Sequence, residues 1–381
     1  MTTFFPYDQL TWPEVDALPR NAPLILPLGS GYPLDRLASA CGNPERIGLL
    51  PPFPFGWRGS GLRVADHLLG AYLFNLLDSL REDGFRQVFA LTPQGLELDL
   101  GMDHLALPVS QQSFLPPYAL PPDNEKDKVI LIPVGHTEQH AFHLPMSTDT
   151  LIIDAITQGT AAAVDKQAYT LPVMPYGVST HRQAFAGTLN AGGRAFEDFW
   201  LGVIEVLVNR GFNRFYLMSG HGGNSSFLVN IVKYAGERHR RIFCATAFLY
   251  LSGPEGVAAL ENFRCSKIGG MGHACELETS LILHLRPELV HMDRVVDETD
   301  FISTPSYYMD WVEGGALVAN PPWDDDTATG AYGAGSLASV EHGKIWLEAA
   351  IHEKAGHVRE IQEQHNRREQ KRFSSFGLWG K

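Results

Sequence analysis

Residues 128–149 read KVILIPVGHTEQHAFHLPMSTD. After Lys128 the first stretch is an uncharged apolar run that stops at Gly135, which predicts a buried strand over 128–134. The polar remainder sets Glu138, His140, His143 and Asp149 just beyond that strand. A glutamate and a histidine two apart in an extended segment point to the same side. Carboxylate oxygens and imidazole nitrogens suit zinc, manganese and iron. Each residue then serves a different ion of a pair, and Asp149, with two oxygens, bridges both. The plainer alternative is a polar loop with an N-cap aspartate, which accounts for any one of these residues alone.

Outward from this stretch, strands and helices alternate. Helices are expected over 149–164, 196–210, 225–238 and 274–285, with strands over 169–173, 214–218 and 241–251. An amphipathic helix is expected over 345–370, with Leu347, Ile351, Val358 and Ile361 on one side. Such alternation predicts a layered α/β fold with a parallel sheet covered on both faces, and chemistry gathered where strands end. Pro and acidic residues crowd residues 116–128, which read as a linker. A second loop-rich tract, 304–336, carries Trp311, Trp323 and the run Asp324, Asp325, Asp326, expected to be a solvated loop.

The segment before the linker reads as a worn copy of the segment after it. Pro27 and Gly29 match Pro133 and Gly135. Pro51, Pro54 and Gly56 match Pro172, Pro175 and Gly177. Gly84 and Phe85 match Gly211 and Phe212. The matches keep their order, as a repeat requires. Tyr32, Leu34 and Gln94 stand where Glu138, His140 and His221 stand. The expected organisation is a degenerate repeat without metal ligands over 1–116, a linker over 117–127, and a catalytic domain over 128–381.

Two more motifs carry candidate chemistry. SGHGGN, 219–224, leaves His221 projecting from a glycine-rich strand end. A phosphate cradle is the alternative, but neither a Walker lysine nor GxGxxG is present. GHACELETS, 272–280, puts His273 and Glu276 three apart on one helix face. Glu278 points elsewhere, as a group orienting a ligand. A plain helix start with acidic residues favoured by the dipole is the alternative.

A net charge of -13 argues against nucleic-acid binding, which needs a basic face. No apolar run is long enough to cross a bilayer, and the N-terminus lacks a signal-peptide pattern. Cys41, Cys244, Cys265 and Cys275 include no CxxC pair, so no cysteine-based zinc site is expected and the cytoplasm is the natural setting.

Over residues 128–348 the chain resembles the creatininase (creatinine amidohydrolase) family. GHTEQHAFHLPMSTD is similar to GSxEQHGxHLPxxTD, SGHGGN to NGHGGN, and HACELETS to HAGExETS. GAYGAGSLASVEHGK, 330–344, resembles the late GxxGDPxxASxEKG stretch, and LTWPEV, 10–15, the opening helix. The resemblance implies two divalent metal ions: Glu138 and His221 on one, His140 and Glu276 on the other, Asp149 between them. Zinc is the first choice, with manganese or iron as alternatives. His273 matches the family's catalytic histidine, and Glu278 is assigned with it to catalysis. Candidate substrate contacts are His143, His181, Arg182, Asn224 and Trp311.

There are departures. Ala141 and Cys275 replace glycines, and STHRQAFAGT, 179–188, has Arg182 where a histidine is common. Creatininases proper carry a glutamate inside the middle motif, where this chain has Gly223. The expected activity is metal-assisted hydrolysis of a C–N bond in a small amide, formamide or cyclic ureide, by a homo-oligomer. The alternatives are a lactone hydrolase and a silent metal-binding or assembly subunit.

Overall fold

The computed structural model describes residues 1–109, 119–180, 184–311 and 315–376. The first hundred residues give β1 (Thr3–Pro6), α1 (Trp12–Asp16), β2 (Leu24–Pro27), α2 (Leu34–Ala40), β3 (Arg46–Leu49), α3 (Asp66–Glu82), β4 (Val88–Pro93) and β5 (His104–Leu107). These strands form a parallel sheet in the order β1-β3-β2-β4-β5. The rest gives β6 (Val129–Val134), α4 (Thr148–Ala163), β7 (Ala168–Thr170), α5 (Gly193–Asn209), β8 (Arg214–Ser219), α6 (Ser225–Arg238) and β9 (Phe243–Thr246). It continues with α7 (Pro254–Phe263), β10 (Met271–His273), α8 (Glu276–Leu285), β11 (Tyr332–Gly333) and α9 (Val340–Phe376). A second parallel sheet runs β7-β6-β8-β9, and β10 pairs antiparallel with β11. The layered α/β architecture expected from the sequence is present.

The period-two geometry of β6 sorts its buried side chains between two cores. Ile130, Ile132 and Val134 join one cluster, while Val129 and Leu131 join another. The first cluster lies between the two sheets and includes Leu69, Leu73, Leu76, Leu77 and Leu80 of α3 with Phe196, Phe199 and Trp200 of α5. The second packs α4, α8 and α9 on the far side of the second sheet. A third, small cluster seats Leu37 and Ala38 of α2 on the outer face of the first sheet.

Both α3 and α5 end in the same way. Gly84 and Gly211 sit at φ 92° and 96°, the left-handed conformation that glycine enters most cheaply. The N–H of Phe85 then bonds back to Leu80 O, and that of Phe212 to Leu207 O.

Polar contacts tie the halves together. Tyr72 Oη donates to Tyr176 O at 2.8 Å, and Tyr176 Oη donates to Pro51 O. Asn75 Nδ2 donates to Ala191 O at 2.7 Å. The N–H groups of Met146 and Ser147 donate to Leu10 O and Asp8 O, so the segment around α1 braces the loop that precedes Asp149.

Several extents differ from expectation. The strand expected over 241–251 stops at Thr246, because Leu249 and Leu251 take positive φ and the chain turns. Helix α8 starts at Glu276 rather than 274, since Ala274 has φ 48°. Helix α9 extends beyond 345–370 at both ends. The Asp324–Asp326 run is more than a solvated loop: Asp326 accepts from the Ile302 N–H and Tyr332 Oη. Among the described residues no helix is long and apolar enough to cross a membrane.

Candidate metal centre

Three strand ends and two helix starts build the site. Gly135 ends β6, where a Cβ would lie 2.4 Å from Thr150 Oγ1. Gly220 follows β8, where a Cβ would lie 2.3 Å from Asp149 O. Glycine at both places lets the two central strands run up against the start of α4 and presents Asp149 between them. Ala141, in a position where the family pattern has glycine, has φ 54°, and its N–H is held by Gln139 Oε1 at 2.9 Å. That explains why a glycine suits the position and how an alanine is kept there.

Glu138, His140, Asp149, His221, His273 and Glu278 are all buried and converge. Asp149 Oδ1 lies 3.2 Å from His140 Nε2, and Asp149 Oδ2 lies 3.3 Å from His221 Nδ1. Glu138 Oε2 lies 2.8 Å from His221 Nδ1, and Glu278 Oε1 lies 3.9 Å from His140 Nε2. The opposite ring nitrogens are held by backbone carbonyls. His140 Nδ1 is 3.1 Å from Glu138 O, and His221 Nε2 is 3.0 Å from Val178 O. Such bonds fix which nitrogen faces the centre.

The expected ligand Glu276 is not in this cluster. Its Oε1 and Oε2 accept the N–H groups of Cys265 and Ser266, both at 2.8 Å. Glu278 instead lies with His140 and Asp149, close enough for the three to hold one ion. The difference from expectation has a geometric cause. The helix begins at Glu276, and two residues rotate a helix by about 200°, so only one of the two glutamates can face the centre.

Electrostatics mark the cluster as a cation site. Burial would lower both imidazoles. Instead the carboxylates of Asp149, Glu278 and Glu138 lift His140 to about 9, and Glu138 and Asp149 lift His221 well above its ordinary value. Burial pushes Glu278 up to about 7 although His140 opposes it, while His140 and His221 hold Asp149 down at about 2 despite burial. Three buried carboxylates thus demand positive charge, which divalent ions supply. Asp149 Oδ2 and His140 Nε2 are buried without hydrogen-bond partners. Nitrogen and carboxylate donors left so suit zinc, manganese or iron.

His273 stands beside this set. Its ring centroid is 4.2 Å from that of His140 and 4.9 Å from that of Trp323, and Nε2 is 2.7 Å from Gln139 O. Burial and the neighbouring His140 push it down to about 3. Trp323 also lines a cavity of about 310 Å³ together with Thr180, Ala184 and Asn320.

The substrate candidates fare unevenly. Asn224 is structural: its Oδ1 accepts the Val178 N–H at 2.9 Å and its Nδ2 reaches Gly135 O. His143 Nε2 pairs with Thr279 Oγ1 at 2.9 Å, and burial and His140 lower it to about 4. Trp311 Nε1 donates to Tyr250 O, with its ring against that tyrosine. His181 and Arg182 lie outside the described residues. Cys275 is a buried thiol pushed well above its ordinary value by burial, hence inert.

Two residues were missed. His136 stacks 4.4 Å from His221 and lies within ligand reach of Glu138 and His221, and its position two before Glu138 could have flagged it. Tyr250 buries a hydroxyl without a hydrogen-bond partner, raised by burial and by Glu278 and Asp149. Nothing in its apolar surroundings marks it in the sequence.

A family model for creatininase, described as creatinine amidohydrolase, matches residues 120–358. A creatinine amidohydrolase from Pseudomonas putida is similar at 29% identity over 248 residues, covering 61% of this chain and 90% of that protein. A mycofactocin precursor peptide peptidase from Mycobacterium ulcerans is similar at 33% identity, covering 44% of this chain and 62% of that protein. A solved creatininase structure with Mn aligns with a TM-score of 0.52 at 27% identity, covering 62% of this chain and 92% of that one.

Proposed function

The chain belongs to the creatininase family of metal-dependent amidohydrolases, and on that premise we propose that it hydrolyses a C–N bond in a small amide, formamide or cyclic ureide with two divalent ions. The observation that carries the two-ion reading is Asp149, whose two oxygens face His140 and His221 separately. Glu138 and His221 would hold one ion, and His140 and Glu278 the other, with Asp149 available to both; zinc is the first choice, then manganese or iron. Such ions would supply an ionised water and polarise a carbonyl.

The protein groups do the rest. Asp149, Glu138 and Glu278 hold the positive charge. Backbone carbonyls lock the two imidazoles. His273, neutral in its buried place, takes a proton and returns it to the leaving nitrogen. Trp323 limits solvent at His273. The proposed setting is a cytoplasmic homo-oligomer acting on a small molecule. Residues 1–116 are, in the same proposal, a metal-free copy of the catalytic unit that packs against it and braces the loop before Asp149.

The same reading places creatinine outside the physiological substrates, and Gly223 supports it. There a Cβ would lie 2.4 Å from both His221 Nε2 and Val178 O, so the middle-motif glutamate of creatininases has no room. The test is mass spectrometry of an amide, formamide, ureide and lactone library, with and without chelator. Chelator-sensitive turnover of a C–N substrate is expected. Turnover of lactones alone, or of creatinine as fast as any other compound, would overturn the reading.

A further inference from the structure

Glu276, turned away from the catalytic centre, has neighbours of its own. Cys265 follows the end of α7, Glu276 opens α8, and His342 lies in the first turn of α9. A sulfur, a carboxylate oxygen and an imidazole nitrogen from these three lie within 4.8 Å of one another. His342 Nδ1 is 3.8 Å from Glu276 Oε1. Zinc holds nitrogen and oxygen at about 2.0–2.2 Å and sulfur at about 2.3 Å, so its tetrahedral ligand atoms stand roughly 3.3–3.8 Å apart. The spacing fits an ion with only small side-chain movement.

The surroundings favour a ligand there. Glu276 is fully buried, and each carboxylate oxygen takes one backbone N–H, which leaves further lone pairs. The other nearby cation, Arg264, is committed to both oxygens of Asp310 at 2.9 Å. His342 Nδ1 is buried without a hydrogen-bond partner. Its ring is fixed between Phe263, 6.3 Å away, and Trp346, 5.2 Å away, so that nitrogen has no freedom to seek another partner.

We infer that Cys265, Glu276 and His342 form a second metal site, a zinc site separate from the catalytic centre. Sulfur and imidazole donors with one carboxylate select zinc over magnesium or calcium. The thiol gives its proton to solvent as the ion binds, and a water fills the fourth position on the exposed side of Cys265. The ion joins the end of α7 and the starts of α8 and α9. It thereby pins the segment that carries His273 and Glu278. No pair of cysteines announces this site, which is why the sequence motifs leave it out.

The test uses the full chain, loaded with cobalt for spectra and with zinc for elemental analysis. Wild type should show a thiolate-to-cobalt charge-transfer band, which Cys265→Ser abolishes and Cys275→Ser keeps. Cys265→Ser and His342→Ala should each hold one ion fewer than wild type, melt lower, and keep kcat within about twofold. The comparison with wild type makes the result independent of how many ions the catalytic centre holds. Absence of the band from wild type, or equal ion content in wild type and both variants, would overturn the site.

Discussion

Strands β2 and β6 occupy corresponding places in their sheets, and the segments that leave their C-terminal ends are chemically opposite. The order β3-β2-β4-β5 in the first sheet parallels β7-β6-β8-β9 in the second. The bond from Gly29 N to Phe53 O has its counterpart in Gly135 N to Met174 O, and Phe53 N to Pro27 O in Met174 N to Pro133 O. Beyond β6 come Glu138 and His140, turned into the cluster. Beyond β2 come Tyr32, whose hydroxyl turns back to Leu28 O at 2.7 Å, and Leu34, which is exposed. A cavity of about 410 Å³ persists at that end of the first sheet, lined by Pro27, Tyr32, Leu34 and Leu49. Strand ends and glycine turns match while the donor atoms do not. Like strand order and like turns thus carry opposite chemistry in the two halves, so the backbone scaffold and the candidate metal chemistry are separable.

The largest effect should come from removing the first half. A chain starting at Asn124 loses α3 and exposes Phe196, Phe199, Trp200 and Tyr176, all fully buried. Each large side chain so exposed forfeits about 1.5–3 kcal/mol. The fragment should be insoluble or molten by near-UV circular dichroism. A soluble, monomeric, fully active fragment would refute the packing role.

Next is the contrast between corresponding chemical positions. Asp149→Ala should lower kcat/KM by about 10³-fold or more and release metal, since the proposed ions would lose the carboxylate that lies between them. Tyr32→Phe should leave activity within about twofold, costing roughly 1 kcal/mol of stability at most for its hydrogen bond. Elemental analysis and kinetics on both variants decide it. Full metal occupancy in the Asp149 variant would break the assignment.

A finer cut lies within one helix. Glu278→Gln should cost about 10²-fold or more in activity and weaken metal binding at the centre. Glu276→Gln should spare kcat and lower the melting temperature, since it weakens the bonds to Cys265 and Ser266. The reverse pattern would restore Glu276 to the catalytic ligand set.

That cut also shows where sequence reading reaches its limit. Glu138, His140 and Asp149 were legible because one local motif carries them past one strand, and the parallel character of the second sheet follows from strands alternating with helices. Choosing between Glu276 and Glu278 depends on where α8 begins, and so on the left-handed Ala274, which no apolar period reveals. His342 meets Cys265 only through tertiary packing of α7, α8 and α9. Tyr250 lies beyond a strand that ends early, so its buried hydroxyl was hidden inside an expected apolar run.

The smallest effect tests the seam between the two halves. Asp83, at the end of α3, accepts the N–H of Gly187 in the second half at 2.8 Å. Burial pushes its carboxyl up to about 6, although that bond and Arg20 pull the other way. A folded value above the unfolded one means the folded state holds its proton more tightly. Ionised Asp83 therefore costs stability, fully above about pH 6, and the cost fades as pH falls toward the unfolded value near 4. Asp83→Asn keeps an oxygen for Gly187 and removes the charge. The variant should melt a few degrees higher than wild type at pH 8, on the order of 1–2 kcal/mol, with the difference gone near pH 4. Calorimetry across that range is the measurement. An equal difference at both ends, or a destabilised variant at pH 8, would show that the seam carries no penalty from this buried charge.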